Sequence, residues 1–147
     1  MSDNPGATTS ANATPAKAEF RGGLLPSLRV NGALRAGAFY AQAFGAEIAA
    51  SIPPDVQGRT MHVHLYVNGQ SLVLSDDFPE KGIPLREPQG YMLLLVLAPR
   101  EIDAWWQRAI DAGCSVKIPL ANQFWGDRYG QLTDPFGVDW ALDAPAA

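Results

Sequence analysis

One cysteine, two histidines, little positive charge and no long apolar run set the first limits on this chain of 147 residues. With Cys114 alone, no disulfide can close within the chain and no thiolate zinc cluster can form. Lys and Arg number 11 against 15 Asp and Glu, a net charge of -4. That balance excludes the basic groove from which nucleic-acid binding draws most of its affinity. The longest apolar stretch, residues 91–98, falls far short of the roughly 20 residues that span a bilayer. A phosphate loop, a nucleophile elbow, an HExxH pair and a dinucleotide fingerprint are all missing. These absences point to a cytoplasmic protein with neither nucleic acid nor membrane as a partner, and with a small organic ligand as the expected one.

What is present is apolar: hydrophobic residues make up 47% of the chain and aromatics 10%, which is enough for one domain with a real core. Residues 1–19 are mostly Ala, Thr, Asn, Ser, Gly and Pro and carry no apolar run. They read as a disordered leader ahead of a single domain over residues 20–147. Helix periodicity with stop signals marks residues 33–44, ending at Gly45, and residues 100–112, ending at Gly113. Sliding the chain by 68 residues lays Leu34 on Ile102, Ala41 on Ala109, Gly45 on Gly113, Ile48 on Val116, Gly69 on Gly137 and Leu74 on Leu142. The chain therefore reads as a duplicated unit of strand, helix and three strands, an α+β fold. Module one covers about residues 22–76, and module two about residues 91–143. The linker 77–90, with Pro79, Pro84 and Pro88, is expected to be irregular.

A sheet with one helix covers one face with it and leaves the other face free. Along residues 61–67, Met61, Val63, Leu65 and Val67 alternate with His62, His64 and Tyr66. The apolar set belongs under the helix, which leaves the two histidines and the tyrosine on the free face, toward a hollow or toward water.

The segments FYAQAFGAEI, MHVHLYVNGQSLVLSDDFPE and FWGDRYGQLTDPFGVDW, at residues 39–48, 61–80 and 124–140, resemble the vicinal oxygen chelate superfamily. This is the group of glyoxalase I, bleomycin-resistance proteins and extradiol dioxygenases. FWGDRYG followed by DPFG is similar to its PhnB-like branch. The resemblance covers nearly all of residues 24–143 and implies two βαβββ modules forming a cupped mixed sheet, usually as a homodimer. It also implies a divalent metal held by His, Gln or Glu from the first and last strand of each module. Here those positions fall at Leu25 or Pro26, Val73, Leu93 or Leu94, and Ala141, none of which can coordinate a cation. No metal and no other cofactor is therefore expected, and the resemblance implies a glyoxalase/bleomycin-resistance-like binder of small molecules.

His62 and His64 lie two apart on one strand and could act as a general base near neutral pH, or simply hydrogen-bond a ligand or water. They could instead share one divalent metal ion with Asp76 or Asp77, as a lyase or dioxygenase with relocated ligands. Gln123, Phe124, Trp125 and Tyr129, with Tyr66, are candidate ligand contacts, since aromatic rings with a polar handle stack on and orient a flat molecule. Trp125 could equally plug the end of the sheet. Of Trp105 and Trp106, about 100° apart on a helix, one is expected in the core and one near the surface. Asp127, Arg128 and the DPFG turn are expected to be structural, and Cys114 to be a small buried residue. A structural module with no pocket is the remaining alternative.

Overall fold

The computed structural model describes residues 14–87 and 90–147. It contains two copies of one unit. Strand β1 (Ser27–Arg29) leads through Gly32 into helix α1 (Ala33–Phe44), followed by β2 (Glu47–Ser51), β3 (Val63–Val67) and β4 (Gln70–Ser75). The second copy runs β5 (Leu93–Val96), α2 (Ile102–Ala112), β6 (Ser115–Asn122), β7 (Asp127–Thr133) and β8 (Asp139–Pro145). The sheet orders β1-β4-β3-β2 and β5-β8-β7-β6 are the same arrangement twice, with the first strand parallel to the last and the other pairs antiparallel. The duplication expected from the 68-residue shift is thus present in the topology.

Helix α1 has no side-chain cap of its own. Asp76, just beyond β4, supplies one: its Oδ1 accepts the amides of Gly32 (2.7 Å) and Ala33 (3.1 Å), and its Oδ2 that of Thr60 (2.9 Å). A carboxylate at a helix N-terminus satisfies otherwise orphaned donors and complements the helix dipole. The helix ends at Gly45 in the left-handed region, whose amide bonds back to Tyr40 O. The β3–β4 turn places Asn68 (φ 49) and Gly69 (φ 81) both at positive φ, as a two-residue hairpin of right-handed twist needs.

The modules pack together within the chain. Rings of Tyr40 and Phe44 on α1 lie 5.2 and 4.4 Å from that of Trp140 on β8. Arg108 on α2 donates to the carbonyls of Gln42 (2.7 Å) and Ala41 (3.3 Å) at the end of α1. One core runs through both units, from Leu28, Val30 and Leu74 to Ile102, Leu132 and Leu142.

Details depart from expectation where tertiary contacts decide. Helix α2 starts at Ile102 rather than at residue 100, because Arg100 and Glu101 form the turn that enters it. The linker is not wholly irregular: Pro79–Lys81 form a 3-10 turn, and Phe78 and Ile83 bridge. Trp105 and Trp106 do not divide between core and surface; both are half-buried against the core. The Trp106 ring lies across Gly130, where an added Cβ would stand 2.7 Å from it. Of the expected leader, residues 1–13 lie outside the described residues, whereas residues 14–19 follow a defined course across the first sheet.

Candidate functional site

The seven candidate residues divide between two sheet faces. Facing the helix, Val63, Leu65 and Val67 of β3 are buried, so His64 and Tyr66 occupy the opposite face. His62 precedes the strand and lies with its ring 6.2 Å from that of His64, which in turn is 5.0 Å from that of Tyr66.

His64 is nonetheless fully buried, because residues 15–23 cross this face as a strap. The strap makes one contact after another with each strand it passes. Over β4, the Arg21 amide donates to Ser71 Oγ (2.8 Å) and the Ser71 amide to Arg21 O (3.0 Å). Over β3, the Phe20 ring lies 4.8 Å from the His64 imidazole, Tyr66 Oη donates to Glu19 O (2.6 Å), and the Arg21 guanidinium stacks 3.5 Å from the Tyr66 ring centre. Beyond β2, the Ser51 amide donates to Pro15 O (2.8 Å).

Beneath the strap, His64 Nε2 and Ser71 Oγ are 2.7 Å apart, and His64 Nδ1 is buried with no partner among the described residues. With the hydroxyl donating to Nε2, Nδ1 carries the ring proton and is an unsatisfied donor. Burial, then the neighbouring His62 and Arg21, pushes the His64 pKa below its ordinary value and favours the neutral imidazole.

Among the described residues, no segment covers the second sheet's free face. Strand register sets two rows across it: Leu94, Ala141, Gln131 and Ile118, and beside it Val96, Asp143, Tyr129 and Ala121. Leu94 and Val96 are 54% and 65% exposed, and Trp125 is half exposed with its ring 5.7 Å from that of Tyr129. Gln131 Nε2 donates to Tyr129 Oη (2.8 Å), which points toward Met92 Sδ at 3.7 Å. Burial, then the nearby Asp127 carboxylate, raises the Asp143 carboxyl above its ordinary value. Phe124 projects into solvent, its ring 5.0 Å from that of Trp125. Gln123 spends its amide on the carbonyls of Ala121 and Tyr129, which fastens the Trp125 loop to the strand.

None of the described hydrogen bonds or aromatic contacts joins the two groups, so one chain presents them as separate surfaces. A cleft of about 150 Å³ at the seam between modules is lined by apolar residues such as Leu72, Leu93 and Trp140 and contains none of the seven candidates.

The donor set does not fit the metal that the fold family implies. Ser27, rather than Leu25 or Pro26, stands opposite Val73, and Leu94 stands opposite Ala141. A serine hydroxyl is the one oxygen among these four side chains. Of the relocated set, Asp76 is committed to three amides and His64 Nε2 to Ser71. Among the described residues, no three of His, Cys, Asp and Glu are grouped to hold an ion. No helix among them is long and apolar enough to cross a membrane.

Residues expected to be structural are placed as such: Arg128 pairs with Asp103 (2.7 Å), and Cys114 is buried, which raises its thiol to about 12. Asp134, which the sequence suggested only as a turn former, is a buried acceptor for four donors. These are Tyr40 Oη (2.6 Å), Trp140 Nε1 (2.9 Å) and the amides of Phe136 and Val138.

Comparison with known proteins agrees with this architecture. The uncharacterised protein Rv0887c of Mycobacterium tuberculosis H37Rv is 37% identical over 145 residues, covering 95% of this chain and 80% of its own. The crystal structure of PA1353 from Pseudomonas aeruginosa superposes with a TM-score of 0.69 at 30% identity, covering 84% of this chain and 98% of that one. The PhnB protein from Bacillus cereus shares the fold at a TM-score of 0.65 and 23% identity, covering 82% and 98%. The Glyoxalase/Bleomycin resistance protein/Dioxygenase superfamily model matches residues 24–142, and the chain belongs to that superfamily.

Proposed function

We propose that this protein binds a small organic ligand on its free sheet faces without the divalent metal of its superfamily, and that it acts as a homodimer. The observation that carries this reading is the row Ser27–Val73 and its counterpart Leu94–Ala141: the strand positions where metal ligands belong hold one hydroxyl and three hydrocarbon side chains. A cation stripped of water needs several nitrogen, oxygen or sulfur donors, and hydrocarbon offers none. What the second sheet offers instead is flat apolar area from Trp125, Tyr129, Leu94 and Val96, with Gln131 and Tyr129 Oη as fixed polar handles. This combination suits a planar molecule that buries a ring and makes one or two directed hydrogen bonds.

Two measurements test the reading together. Elemental analysis of untagged protein, before and after incubation with zinc, nickel, manganese and iron, is expected to find far less than one ion per chain; about one ion per chain would sink it. A thermal-shift panel of flat organic compounds is expected to give hits that Trp125→Ala abolishes, since a ligand stabilises only what it binds. A second reading, a metal-free acid/base enzyme, draws on His64, whose neutral imidazole is the protonation state a general base requires. It predicts turnover of a panel compound that is lost in His64→Gln while binding survives.

A further inference from the structure

The strap makes the contacts a ligand would make. Phe20 lays a ring 4.8 Å from the His64 imidazole, tilted 32° to it, and Glu19 presents a carbonyl to Tyr66 Oη at 2.6 Å. The Arg21 amide caps Ser71 Oγ. These groups belong to a segment whose own side chains stay largely in water: Phe20 is 54% exposed, and residues 14–17 are all exposed. The strap also leaves its site imperfect, because His64 Nδ1 is fully buried beneath it with no hydrogen-bond partner among the described residues. A buried polar group without a partner is costly, and an occupant that supplied an acceptor there would displace one that does not.

We propose that residues 15–21 are a built-in competitor, held over His64, Ser71 and Tyr66 in place of an aromatic compound that carries a carbonyl acceptor, and that this compound binds by lifting the strap. The proposal rests on the small-molecule-binding reading above and names the ligand's class and its regulation. Phe20 marks where the ligand's ring lies. The ligand's carbonyl meets His64 Nδ1, which the strap cannot satisfy, so the ligand gains a hydrogen bond that the strap lacks. An intramolecular competitor weakens apparent affinity by the fraction of time that it leaves the site open.

The test uses the full chain and naphthalene-2-carboxamide, a fluorescent fused ring with one carbonyl. Phe20→Ala takes away a half-exposed ring and no core packing, and its unfolding midpoint is checked beside the parent's. The variant is expected to bind the probe about tenfold or more tightly than the parent, and His64→Ala in the Phe20→Ala background to cancel the gain. Probe bound to the parent is expected to speed hydrogen exchange at the Ser51 and Ser71 amides, which donate to strap carbonyls. Equal affinity in parent and Phe20→Ala, or no binding to Phe20→Ala at millimolar probe, would overturn the proposal. Binding lost in Trp125→Ala but unmoved by Phe20→Ala would overturn the strap and leave the proposed binding function standing. Tighter binding in Phe20→Ala that Trp125→Ala leaves unchanged would support the strap and move the ligand site off the second sheet.

Discussion

Asp134 shows how far a single residue's role can lie from its local sequence. In Asp-Pro-Phe-Gly it reads as the opening of a turn, and its Oδ1 does bind the amides of Phe136 and Val138 as turn aspartates do. Its Oδ2 faces the other way, toward Trp140 Nε1 and toward Tyr40 Oη on α1, 94 residues distant in sequence. That last bond ties the second module's turn to the first module's helix, and nothing within ten residues of either partner announces it. Burial, reinforced by Asp134, pushes the Tyr40 hydroxyl well above its ordinary value, so it stays protonated and keeps donating. Removing the acceptor strands four donors, three of them buried, whereas removing the tyrosine hydroxyl strands none. Asp134→Ala is therefore expected to cost about 3–5 kcal/mol and Tyr40→Phe about 1.5–3 kcal/mol. Urea unfolding measures both, and equal costs for the two variants would deny Asp134 its central place.

Among the elements, those held by their own periodicity were legible. Helix α1 was readable to its end residues from its apolar stripe and Gly45, and the alternation through β3 assigned His64 and Tyr66 to the free face. Residues 15–21 carry no such signal, because Phe20 is their one large apolar side chain and their hold on the sheet is mainly through backbone groups. The strap nonetheless changes what the histidines can do, and pH exposes the change. The folded chain binds a proton at His64 less readily than the unfolded chain, whose value is near 6.5. Stability from His64 is thus intact above that pH and is lost as pH falls below it toward the lowered folded value. The neighbouring His62 and Arg21 resist its charging further. Thermal midpoints between pH 7.5 and 5 are expected to fall in the parent and to stay flatter in His64→Gln. The carboxyls held low do not confuse this window: Asp55 by the Arg59 amide, Glu80 by the Arg59 guanidinium and Asp139 by Lys117. Their ordinary values are 4.5 or less, so their losses come at lower pH. An identical slope in His64→Gln would mean that the imidazole is not the titrating group.

At the scale of the whole molecule, duplication was the most legible feature, since a match repeated at one spacing over residues 34–74 and 102–142 outweighs any one local signal. The placement of the two faces was not legible, because it depends on how the modules dock, and docking is fixed by Tyr40, Phe44, Arg108 and Trp140 meeting across long separations. The outcome is asymmetric. The first sheet covers its free face with its own chain, while the second leaves Met92, Leu94, Val96, Ile118 and Trp125 in contact with water. Exposed apolar side chains gathered on one sheet face mark a place of association, and the same sheet cannot bury its rings within one copy. A second copy laid on this face would bury the apolar rows and wall in Trp125 and Tyr129, turning an open surface into a pocket. Sedimentation is accordingly expected to find a dimer. Leu94→Glu with Val96→Glu should shift it to monomer, because two carboxylates would have to lose their water in the interface. Both side chains are already exposed, so the double variant should keep the parent's unfolding cooperativity within one chain. A parent that sediments as a monomer at about 100 μM, weaker than the standard interface of about 1,600 Å² normally gives, would leave the second sheet an open binding face. A double variant that remains dimeric would place the contact elsewhere on the molecule.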